Sequence, residues 1–113
     1  MPIKFRSQGE LTLPRCSQVT MEFPTKGKNK RTTNLGFFLN GEKIGKAEFI
    51  FEQNEPLTFA WSCFSVQEKG EEKNWEYKVI IKVNGKKLKE LTIKMAAADK
   101  YSAEQITVIP EEE

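Results

Sequence analysis

The sequence predicts an all-β domain: an antiparallel β-sandwich or small barrel of about seven strands, with at most one short helix. Three observations predict it. Asn40-Gly41 and Asn84-Gly85 each lie between apolar runs, the pattern of tight β-hairpins. Apolar and polar residues alternate with period 2 in short runs spaced roughly 8 to 12 residues apart. No long segment carries the 3.6-residue period of an amphipathic helix.

The elements follow in order. Residues 11–13 form a first short strand. Residues 18–23 alternate cleanly and place Val19, Met21 and Phe23 inward. Residues 35–39 lead into Asn40-Gly41, and residues 42–51 lead out. The parity breaks there between Ile44 and the set Ala47, Phe49 and Phe51, with Gly45 at the change. Leu57–Val66 has no charged residue and is apolar on both faces, which predicts a central strand covered on both sides. Trp75–Val83 and Lys86–Met95 flank the second Asn-Gly turn, and Trp75, Tyr77, Val79, Ile81 and Val83 share one face. A two-residue turn sets Leu88 opposite Ile81 on the core face. Because Leu91, Ile93 and Met95 have the other parity, a β-bulge is expected near Lys89-Glu90. Residues 95–105 have helix-forming composition and predict one or two helical turns, or an irregular crossover. Residues 106–109 form the last strand. Residues 27–33 and 67–74 are polar, charged loops. With no repeat and no linker, residues 1–113 constitute one domain, long enough to bury a core without metal or disulfide staples.

The composition limits the chemistry. The chain has no histidine, which removes imidazole as a catalytic base and as a metal ligand. Glu71-Glu72 sit in a charged loop, where a solvated surface is the simple reading. The segment 41–47 approaches a phosphate-binding loop but is one residue short and lacks the Ser/Thr that would hold magnesium. No acidic residues follow the spacing of a calcium loop. The expectation is therefore no catalytic residues, no metal and no cofactor: the protein is not an enzyme. No apolar run is long enough for a membrane helix, and residues 1–7 lack the apolar core of a secretory signal. Cys16 and Cys63 stand 47 positions apart and outside any C-x-x-C motif. Together these predict a cytoplasmic protein whose two cysteines are not bridged.

Charge is unevenly placed. The formal net charge is +2, yet all 18 basic residues precede position 104, against 12 acidic ones; residues 104–113 hold four glutamates. Lys26, Lys28, Lys30 and Arg31 crowd one loop, and Lys86, Lys87 and Lys89 crowd the second hairpin. Lysines on a strand's solvent face also keep sheets soluble and guard their edges. Phe38 and Ile80 interrupt otherwise polar strand faces, which predicts an outward apolar patch. The leading expectation is a non-enzymatic binding domain (an adaptor, inhibitor or assembly subunit) that contacts another protein through loops and an edge strand. The alternative is a nucleic-acid-binding β-domain that uses the Lys-rich loop and hairpin. A third is small-ligand or carbohydrate binding by an aromatic cleft.

Overall fold

The computed structural model describes residues 4–24, 32–67, 69–70 and 72–111. Among these are nine strands and no helix: β1 (Arg6–Leu13), β2 (Ser17–Glu22), β3 (Thr32–Leu39), β4 (Glu42–Ile44), β5 (Glu48–Phe51), β6 (Leu57–Val66), β7 (Trp75–Val83), β8 (Lys86–Met95) and β9 (Tyr101–Pro110). They form two sheets, one in the order β1-β9-β6-β3-β4 and the other β5-β2-β7-β8. The domain is a sandwich, not a closed barrel, and has nine strands where seven are expected from the sequence.

Both Asn-Gly turns form, and the reason is local. Asn40 and Gly41 have φ of 48° and 83°, and Asn84 and Gly85 have 51° and 83°. Two consecutive positive φ values define a type I′ turn, which Asn and Gly tolerate best. Each Asn also ties its turn to the next strand. Asn40 donates its N–H to Thr58 O at 2.9 Å, and its Oδ1 accepts the Thr58 N–H at 2.9 Å. Asn84 does the same with Gln18, at 2.8 and 2.9 Å.

The parity break at Gly45 is a change of sheet: β4 lies on β3, whereas β5 crosses to pair with β2. The break in the second hairpin is a bulge, one residue earlier than its pattern suggests. Ile81 faces Lys89 and Lys82 faces Lys87, which leaves Leu88 as the unpaired residue. Leu88 is thus outside, 52% exposed, and not in the core. Residues 95–105 are not helical. Met95 ends β8, a turn follows, and Tyr101 to Gln105 extend β9 along β6. A side-chain composition that tolerates helix yields here to strand pairing, which buries Ser102, Ala103 and Glu104.

The core lies between the sheets. Its centre is Val19, Met21, Phe51, Leu57, Phe59, Trp61, Val79, Ile81, Ile93, Ile106 and Val108. The central strand β6 is buried on its inner face at every odd position from Leu57 to Ser65. Phe49 meets Phe59 edge-on with centroids 4.9 Å apart, which joins β5 of one sheet to β6 of the other. Strand β1 departs from the antiparallel pattern and pairs parallel with β9. Its register slips between Ser7 and Glu10, where Gly9 has φ 118°, a value closed to other residues without strain. The Lys89 ammonium sits 3.0 Å from where a Gly9 Cβ would lie and donates to Gln8 O at 3.3 Å. Lys89 thereby links β8 to β1 across the edge of the sandwich. Cys16 is exposed at the end that carries the Asn-Gly turns, while Cys63 is buried toward the other, and no disulfide joins them.

Candidate functional site

Strand register places the most exposed apolar side chains together. On the outward face of the five-stranded sheet, three cross-strand rows run over β3, β6 and β9. They are Asn34, Phe64 and Tyr101; then Gly36, Ser62 and Ala103; then Phe38, Ala60 and Gln105. The middle row is small: a Cβ on Gly36 would lie 2.7 Å from Ser62 Oγ. A low strip therefore runs between an aromatic row and Phe38. Phe64 and Tyr101 are paired neighbours, 43% and 48% exposed, whereas Leu35, 39% exposed, has the inward parity of its partner Cys63. Phe64 and Tyr101 are two of the five large apolar residues exposed among the described residues, and they are adjacent on one face. Such grouping marks a contact surface where scattered exposure does not.

Behind this face lies a buried polar chain that joins the two sheets. Trp61 Nε1 donates to Tyr77 Oη at 3.0 Å. Tyr77 Oη lies 2.7 Å from Ser102 Oγ, and Ser102 Oγ donates to Glu104 Oε2 at 2.6 Å. With the indole and serine protons so directed, the phenol donates to Ser102, and every proton points toward the carboxylate. Glu104 is fully buried. It also accepts from Gln8 Nε2 at 2.8 Å and from Arg6 Nε and Nη2 at 3.2 and 2.8 Å. Glu104 is thus no part of an acidic tail; it is the internal anchor of strand β1. Its alternation with Ile106 and Val108 carries that signal in the sequence, once the strand is extended two residues toward its start. The hydrogen bond to Glu104, and then the charge of Glu104, raise the Arg6 pKa above its ordinary value.

Burial raises the Tyr77 phenol from 10.0 to about 12, against the opposing effect of its bonds with Ser102 and Trp61. A folded pKa above the unfolded one means that stability is whole below pH 10 and is lost as pH rises from about 10 to about 12. Thermal melts of the protein and of Tyr77→Phe are expected to show this. The variant melts lower at neutral pH, because Trp61 and Ser102 lose their shared partner. It then loses less of its melting temperature between pH 10 and 12 than the native protein does. Parallel curves across that window would contradict the assignment.

Lys26, Lys28, Lys30 and Arg31 lie outside the described residues, and the other residues singled out by the sequence are not brought together at one site. Lys86 and Lys87 are exposed at the Asn84-Gly85 turn, and Lys87 lies 3.7 Å from Glu90. Lys89 is turned inward to Gln8. Phe38 and Ile80 face out from opposite sheets, both half-buried, and the Phe38 ring packs against Phe5 at 5.2 Å. Neither lies in the exposed group. Phe64 and Tyr101, which do, escape sequence reading: alternation assigned neither to a surface, and they are 37 residues apart.

No group of three or more metal-ligating side chains occurs among the described residues, and none of their helices is long and apolar enough to cross a membrane. The fold and this face define a small two-sheet sandwich with an aromatic outer surface at one end. No protein-family model matches the chain, nor does any curated protein or solved structure it was compared with.

Proposed function

We propose that this chain is a non-enzymatic, cytoplasmic binding domain that engages another protein through the outer face of its five-stranded sheet. The observation that carries this reading is the pairing of exposed Phe64 and Tyr101 beside the small strip Gly36, Ser62 and Ala103. Exposed aromatics over a rigid sheet supply apolar area at little cost in side-chain entropy. The edges are less suited than the sequence suggests. Strands β4 and β5 are three and four residues long, and β8 carries Lys86, Lys87 and Lys94, a pattern that discourages strand addition. Two unbridged cysteines are in keeping with a reducing compartment.

The test is affinity capture from the source cell with the native chain, with Phe64→Asp, and with Leu88→Asp as an exposed control. A protein held by the native chain and the control but lost from Phe64→Asp is the expected result. Equal recovery by all three would overturn the assignment of this face.

A further inference from the structure

Strands β1 and β8 form the same edge of the sandwich, one in each sheet, and the Lys89–Gln8 contact ties them near mid-length. Toward the end that carries Phe64 and Tyr101, the space between them opens into a cleft of about 290 Å³. Lys4, Arg6 and Lys94 line it, with Asp99 and Tyr101. With Arg6 paired to Glu104 and Asp99 also present, three cations face two carboxylates, and one positive charge is left in excess. Neither Lys4 nor Lys94 has an ion-pair partner among the described residues. Arg6 commits Nε and Nη2 to Glu104, and its Nη1 has no partner among them. Since Glu104 holds the guanidinium in place, the remaining N–H groups of Arg6 are pre-aimed and lose little freedom on binding. The cleft is at the small end for a cofactor-sized ligand; its volume suits a single side chain. Tyr101 belongs both to this cleft and to the exposed aromatic row.

We propose that the cleft receives a carboxylate side chain of an acidic peptide segment whose neighbouring apolar residue lies on Phe64 and Tyr101. This deepens the function proposed above and rests on it, by naming the chemistry of the partner's bound segment. The excess of positive charge selects an anion, and the shared tyrosine places that anion beside an apolar group. A planar carboxylate fits the fork of an arginine already fixed along one side.

The experiment measures binding of labelled peptides that pair Phe with Asp and Glu, against the same peptides with Asn and Gln, at low and at ~150 mM salt. The folded chain is compared with Lys4→Glu/Lys94→Glu, with Phe64→Asp and with Lys86→Glu/Lys87→Glu. Arg6 is left intact because it supports the fold. The expected result is binding of the acidic peptide only, weakened by salt and by about tenfold or more in Lys4→Glu/Lys94→Glu, with Lys86→Glu/Lys87→Glu unchanged. Equal binding of amide and acidic peptides, or an equal loss in both lysine pairs, would overturn the proposal. So would a requirement for phosphoserine in place of Asp and Glu, or tighter binding of an oligonucleotide through Lys4 and Lys94. A cellular partner that needs Phe64 but is indifferent to Lys4→Glu/Lys94→Glu would overturn the acidic assignment and leave the binding face standing. A partner indifferent to Phe64→Asp removes the face itself.

Discussion

Replacing Trp61 by alanine is expected to cost about 3–5 kcal/mol of folding stability, a large part of the ~5–15 kcal/mol available to a domain of this size. Trp61 is fully buried at the middle of β6, the strand on which β3 and β9 both depend. Its ring packs edge-on against Phe23 at 6.4 Å, and its N–H is the first donor of the polar chain. Alanine leaves a void between two sheets whose backbones are held by their own ladders and cannot close over it. It also strips Tyr77 of a donor. Urea unfolding measures the loss. Trp61→Phe, which keeps most of the apolar volume and forfeits the N–H, is expected to fall well short of the alanine effect. A cost below ~1 kcal/mol for Trp61→Ala would contradict the central place given to this side chain.

Arg6→Ala is expected to cost about 3 kcal/mol, although Arg6 itself is largely at the surface. Its side chain is 63% exposed while that of Glu104 is fully buried. Solvent screens the attraction between the charges, so the ion pair as such contributes little. The loss comes from the carboxylate, which stays buried without its cation and keeps only Gln8 and Ser102 as donors. A double-mutant cycle separates these contributions. Arg6→Met with Glu104→Leu replaces the pair by apolar side chains and is expected to be more stable than Arg6→Ala alone. Strict additivity of the single effects would sink the account. Because Arg6 and Gln8 fasten β1 to Glu104, hydrogen exchange along Arg6–Leu13 is also expected to quicken in Arg6→Ala.

Much of the local structure is legible in the sequence. Asn40-Gly41 and Asn84-Gly85 require two positive φ values in succession, and few other pairs accept them, so the hairpins are written in four residues. Leu57–Val66 is the central strand with the bounds its composition implies, but it is not covered on both sides: its inner face is buried, whereas Phe64 on its outer face is 43% exposed. The inward sets Val19 with Met21, and Val79 with Ile81, follow from alternation alone. Leu88 shows where such reading stops. Parity reveals that a bulge exists but not which residue is extra; it is Leu88, and Lys89 beside it donates to Gln8, 81 residues away.

The candidate site was hardly legible at all. In the hairpin Lys86 to Lys89 the lysines look alike as a charge cluster, yet Lys86 and Lys87 are exposed while Lys89 turns inward to Gln8. By pattern Phe64 is one more apolar residue in a buried run, and Tyr101 falls in the segment that predicts a helical turn. They became neighbours because β9 pairs with β6 and extends five residues further than its pattern shows. Most of the strand segments and both Asn-Gly turns are thus local matters, because turn preference and alternation are properties of adjacent residues. Only the tertiary structure decided which sheet each strand joins, that Glu104 is an internal anchor, and that Phe64, Tyr101 and a basic cleft share one end. Those depend on register between strands far apart in the chain, where energy is gained by pairing and burial and no local pattern records the partner.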